Sequence, residues 1–236
     1  MILKTEGENE TFIRTGSSRA QLPLWTVFLT KGLAFAGALI CLTASYSYGQ
    51  SKTIIDEWAT VQAPKPPELK PVTLDPKTTA LLVLDFVKQG CNAKRRPRCL
   101  TSVPKVEALL NLARSKGVAV VYSVTSSSTP ADIAKELAPR AGEPIVKASV
   151  DKFFKTDLDK ILSDKGIKTV VVVGTAAEGA VLNTASQAAF QGLKVVVPVD
   201  GMSSDNPYSE QYTAYHLAHA PGVGQQVTLT RIDMIN

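Results

Sequence analysis

The chain has 236 residues, 44% hydrophobic and 20% charged, the balance of an ordinary globular protein with room for one domain plus extensions or two small domains. No internal repeat or low-complexity segment appears. The net charge of +5 is a modest surface imbalance, and the basic residues are spread out except at Lys94-Arg95-Arg96-Pro97-Arg98. No aromatic-rich or helix-turn-helix pattern accompanies that run, so it does not point to nucleic acid.

In chain order, residues 1–21 are polar and irregular, and a leader follows. Lys31 precedes an apolar run over 32–44, and Ser47-Tyr48-Gly49 places small residues at the −3 and −1 positions for cleavage before Gln50. Residues 1–49 therefore read as a signal peptide and imply export, to the periplasm in a bacterium. The rival is an uncleaved tether through 22–44, long enough to span a bilayer. Lys31 inside that span would cost roughly 2.5–3.5 kcal/mol, which favours the shorter cleaved segment. Cys41 lacks the small preceding residues of a lipoprotein site.

Residues 50–78 form a linker or arm. Prolines at 64, 66, 67 and 71 predict an extended segment lying across the domain or spacing it from the membrane.

From residue 79 to 236 the pattern alternates. Short, β-branched, continuously apolar runs at 79–85, 118–123, 144–147, 169–173, 194–199 and 226–230 read as strands covered on both faces. Amphipathic stretches at 103–116, 156–165, 181–191 and 208–220 end at Gly117, Gly166, Gly192 and Pro221-Gly222, natural helix stops. Strand, helix, glycine, strand repeated means right-handed βαβ units. The fold class is α/β, three-layered, with a doubly wound, mostly parallel sheet.

Cys91 and Cys99 lie in one polar loop. In an oxidising compartment they most plausibly form a disulfide; in the cytosol they would be free thiols. A Cys91 nucleophile is a third option, because it follows Asp85 closely. No further Cys or His lies near enough to make zinc the natural reading. His216 and His219 share one helical face but have no third ligand in view, so no metal and no cofactor are expected.

Ligands of such sheets bind beyond the carboxyl ends of the strands. That rule selects Asp85, Lys147, the loop Gly174-Thr-Ala-Ala-Glu-Gly-Ala180, and the turn at Asp200. Taken alone, Asp85 reads equally as a turn cap, Lys147 as a solvated lysine and Glu178 as a helix cap.

The ordered set is more specific. Leu84-Asp85, Lys147 nine residues before Thr156-Asp157-Leu158, Val173-Gly174 leading to Ala180-Val181, Thr184-Ala185, Gly192 and Val199-Asp200-Gly201 resemble the isochorismatase-like cysteine hydrolases over about 150 residues. In that family a Cys attacks a carbonyl or related carbon, an Asp takes its proton, and a Lys lowers the thiol pKa and orients the Asp. Backbone amides before the Cys form an oxyanion hole at a cis peptide. Carried over by position, the resemblance implies Asp85 as acid/base and Lys147 as its partner, with Lys152 the competing lysine if the register slips. It implies oxyanion donors at the amides of Ala176 and Ala180, a cis bond at Thr175–Ala176, and Ala177, Glu178 and Phe86 lining the site.

Two departures matter. Ala180 stands where most of the family has its Cys, and a methyl group cannot be a nucleophile. Val87 stands where the isochorismate-cleaving members have Gln. Some members that hydrolyse the enol ether of isochorismate also lack the Cys: the Asp protonates the vinyl carbon and water attacks. The expectation is a hydrolase acting on a small carbonyl, amide or enol-ether compound through Asp85 and Lys147 without a covalent intermediate. The alternative is an inactive small-molecule-binding or scaffold protein. A homo-oligomer is implied by the resemblance alone.

Overall fold

The computed structural model describes residues 52–236. The expected leader at 1–49 and the tether at 22–44 lie outside the described residues. The chain divides into a unit up to Trp58 and a second from Ala59 to Asn236. In the first, α1 (Ile54–Glu57) is a single turn, started by Thr53, whose amide and hydroxyl both donate to Asp56 Oδ2 at 2.8 and 2.9 Å.

The second unit is built on β1 (Thr79–Leu84), β2 (Ala119–Thr125), β3 (Ile145–Ala148), β4 (Thr169–Thr175), β5 (Lys194–Pro198), β6 (Met202–Ser203) and β7 (Val227–Thr230). They form one parallel sheet in the order β3-β2-β1-β4-β5-β7, with β6 paired to the end of β4. The helices are α2 (Pro97–Lys116), α3 (Leu158–Asp164), α4 (Leu182–Phe190) and α5 (Pro207–His219). This is the doubly wound α/β architecture expected from the βαβ pattern.

Strand alternation divides the core in two. Ala80, Leu82, Leu84, Val170 and Val172 face one cluster, which includes Leu158 and Leu162 of α3, Ala185 and Ala188 of α4 and Leu217 of α5. Leu81, Val83, Val171 and Val173 face the other, with Val106, Leu109 and Leu110 of α2. Each fully buried Leu or Val of this kind contributes roughly 1.5–3 kcal/mol relative to exposure.

Chain order reverses across the sheet between β1 and β4: β2 lies to one side of β1, and the chain crosses back to β4 on the other. Here the approach is close. A Cβ on Gly174 would stand 2.7 Å from Leu84 Cβ and 2.8 Å from Leu84 O, so only glycine lets β4 run this near the end of β1.

One departure from the sequence reading has a local cause. Helix α2 starts at Pro97, not at 103, because Pro97 suits the first turn and the helix carries Pro104 in its interior. The segment 126–144 holds 3-10 turns at Pro130–Asp132 and Lys135–Leu137. The extended arm pairs with the C-terminus: Val72 bridges Ile235, and the amides of Lys70, Val72 and Leu74 donate to Leu229, Met234 and Asn236.

Candidate active site

Asp85 follows the last residue of β1 and leaves the sheet at a left-handed φ of 55°. Aspartate tolerates that conformation better than most residues. The turn is closed by the Val87 amide donating to Asp85 O at 2.7 Å. The residue is 7% exposed, so its charge needs partners. It has two. Lys152 Nζ donates to Oδ2 at 2.6 Å, and Ser123 Oγ, from β2, donates to Oδ1 at 2.7 Å.

Lys152 is fully buried and is fixed by more than Asp85. Its ammonium also donates to Ser149 O at 2.5 Å, its amide donates to Thr184 Oγ1 of α4, and its carbonyl accepts from Thr156 Oγ1. The expectation for Lys147 is thus corrected. Strand β3 is an edge strand, and its alternation buries Val146 and Ala148 while Lys147 points out and is exposed. The irregular stretch after it, with Lys155 at φ 56°, folds Lys152 back under Asp85.

The loop after β4 completes the arrangement. The Thr175–Ala176 peptide is cis. Residues Ala177–Val181 form a single π-helical turn before α4 begins, and Ala176 O accepts from the amides of Gly179 and Val181. Turns of this type recur at functional sites. Ala177 is fully buried and Ala180 is 4% exposed. Asn183 Nδ2 donates to Gly179 O at 2.8 Å and fixes the turn. Glu178 is half-buried, and Ser204 Oγ donates to its Oε2 at 2.5 Å, so this carboxylate is tied to the segment after β6. Phe86 is buried in the α2-side core and its carbonyl accepts from Ala134.

Sequence reasoning missed Ser123. The one available signal was a hydroxyl in an otherwise apolar strand, registered directly against Leu84.

Cys91 and Cys99 are joined in a disulfide, with Cα atoms 5.3 Å apart, which removes the free-thiol and Cys91-nucleophile options. Among the described residues no cluster of three or more His, Cys, Asp or Glu is placed to hold a metal ion. His216 and His219 lie against Tyr212 and Tyr215 instead. No helix among the described residues is long and apolar enough to cross a membrane.

Among the described residues, cavities of about 280 to 540 Å³ include ones beside α2, α5 and the proline arm, and those are not lined by Asp85, Lys152 or Ala180. One of about 320 Å³ lies between the proline arm and α5, with Arg98 and Glu210 on its wall.

Comparison with known proteins agrees with this fold. The chain is 29% identical over 144 residues to a secreted isochorismatase effector of Verticillium dahliae, covering 56% of this chain and 76% of that protein. It is 26% identical over 149 residues to an N-carbamoylsarcosine amidase of Arthrobacter, covering 51% of this chain and 56% of the amidase. Among solved structures, an isochorismatase-like hydrolase from Alkaliphilus metalliredigens superposes with a TM-score of 0.60 at 25% identity, covering 66% of this chain and 95% of that one. The isochorismatase domain model matches residues 79–230, and the chain belongs to that family.

Proposed function

We propose that the protein is a hydrolase of a small carbonyl, amide or enol-ether compound in which Asp85 is the acid/base, Lys152 orients it, and no covalent enzyme intermediate forms. The observation that carries this reading is the buried Lys152–Asp85–Ser123 array beside the turn at 176–180. A buried carboxylate held by a cation and a hydroxyl is preorganised to move one proton. The amidase and hydrolase descriptions of the family relatives support the same reaction class.

Ala180 occupies the position that resembles the family's nucleophile, and its methyl group offers no attacking atom. The chemistry then passes to water. For a carbonyl or amide, Asp85 takes a proton from water as the oxygen adds to the carbonyl carbon. It returns that proton to the leaving group as the tetrahedral centre collapses. Amides of the turn at 176–180 stabilise the intermediate oxyanion. For an enol ether, Asp85 delivers a proton to the vinyl carbon, water adds to the resulting oxocarbenium carbon and gives its proton back to Asp85, and the hemiketal so formed breaks its C–O bond to release an alcohol and a carbonyl product. Atoms balance in both cases with water as the sole co-substrate.

Export is part of the proposal. The leader-like pattern at 1–49, the disulfide and the secreted relative support it. A homo-oligomer remains the expectation from the family resemblance.

The low exposure of Asp85 and Ala180 favours a second reading, a non-catalytic small-molecule-binding protein. A panel of small amides, carbonyl compounds and enol ethers, followed by product analysis and intact protein mass during turnover, separates the two. The proposal expects hydrolysis with no mass added to the protein. A ligand that binds and is never turned over favours the binding module; an adduct on the protein rules out the water mechanism.

A further inference from the structure

We propose that Ser123 is the positioning residue of this site: its hydroxyl fixes one oxygen of Asp85, leaving the other oxygen to Lys152 and the reacting proton. The inference rests on the acid/base reading of Asp85 and concerns how that residue is prepared.

Three observations carry it. Ser123 is 1% exposed and stands in β2 among Val120, Val121, Tyr122 and Val124, where a hydroxyl is costly unless paired. It is registered against Leu84, the residue before Asp85, so strand pairing alone brings it to the site. The contact is doubled: Ser123 Oγ donates to Asp85 Oδ1 at 2.7 Å, and the Asp85 amide donates to Ser123 O at 3.2 Å. Backbone and side chain are thus gripped by one residue just where the chain turns into the left-handed conformation.

The charged groups nearby leave that role open for Ser123. Lys152, from the loop after β3, is bound to Oδ2, not Oδ1. Glu178, from the turn after β4, is held by Ser204. Asp151 accepts from the Phe153 amide, Lys147 is exposed, and Lys88, three residues after Asp85, pairs with Asp132. With Ser123 gone, Oδ1 loses its donor and the carboxylate can swing about its terminal torsion.

The test is the titration of the Asp85 carboxyl carbon by 13C NMR in the full chain, without substrate. Ser123→Ala is expected to move the Asp85 titration to higher pH than in the wild type, since a hydroxyl donated to a carboxylate stabilises only the ionised form. Ser123→Thr, which keeps the hydroxyl, is expected to restore it. Once a substrate is in hand, the acid limb of the pH–rate profile should move with the titration, and kcat should fall more than KM rises. Should Ser123→Ala fail to fold, Ser123→Cys keeps the volume with a weaker donor and should give a smaller rise in the same direction. A wild-type titration in a folded Ala or Cys variant overturns the role of Ser123 and leaves the acid/base reading untouched. A titration that moves supports Ser123's control of Asp85, even if hydrolysis later proves insensitive to Asp85→Asn; only the acid/base reading then fails.

Discussion

The Asp85–Lys152 pair and the basic turn at residues 94–98 both rely on ion pairs, in opposite surroundings. In the first, the lysine side chain is 0% exposed and the carboxylate 9%, at 2.6 Å. In the second, Arg96 and Arg95 reach a half-exposed Asp205 at 2.7 and 3.9 Å, and Arg98 makes a forked pair with Glu210. Water reaches one member of each of these pairs, Asp205 at 43% and Arg98 at 46% exposure, so the pairs contribute little each. The buried pair has no such screening: each charge there is tolerable only because the other is present. A fold keeps an arrangement like that at the strand ends more readily for chemistry than for stability, whereas the basic run is largely neutralised by its own acidic neighbours.

The sharpest way to break this contrast is Lys152→Met. Removing one member of a buried pair leaves the other uncompensated, at a cost of roughly 3–5 kcal/mol. Urea unfolding should show that loss, and the double variant Asp85→Asn/Lys152→Met should be less destabilised than the sum of the single changes. A loss under about 1 kcal/mol would place the pair with the surface ones. Next in size is the disulfide. The variant with both Cys91 and Cys99 changed to Ala frees a short loop and should lose about 2–3 kcal/mol on the chain-entropy model, while leaving the Asp85 titration in place. Arg95→Ala should cost about 1 kcal/mol or less, and that loss should fade in high salt.

The smallest effect is a pH dependence at Asp132. The Lys88 ammonium, with the amide and hydroxyl of Thr129, holds its carboxyl well below the ordinary 3.8. A depressed carboxylate stabilises the fold above its unfolded pKa and loses that contribution as pH falls through the folded value. The stability gap between wild type and Asp132→Asn should therefore be constant from pH 7 to about 4 and narrow below it. A gap that widens on acidification would reverse the assignment.

Much of the fold was legible because its signals are local. Continuous Val/Leu runs cannot be half-exposed strands, and Gly117, Gly166 and Gly192 adopt the positive φ that ends helices. Asp85 was legible for the same reason: it closes an apolar strand. Lys152 was harder. Counting nine residues back from Thr156 selected Lys147, but the chain at 149–157 is irregular, so sequence distance does not track spatial distance. The alternation of an edge strand, which turns Lys147 outward, is the argument that would have chosen correctly. Ser123 required strand register, and no local pattern supplies that. The start of α2 was hidden by Pro97 in the basic run, which reads as loop until the first-turn preference of proline is applied.

The central claim is that chemistry resides at Asp85 with Lys152, not at Lys147. Its most direct test is kcat/KM for Asp85→Asn and Lys147→Ala on one turned-over substrate, with unfolding curves confirming that both variants are folded. The expected result is a roughly 10²–10⁴-fold loss for Asp85→Asn and an unchanged rate for Lys147→Ala. A wild-type rate in Asp85→Asn, or a comparable loss in Lys147→Ala, would contradict it.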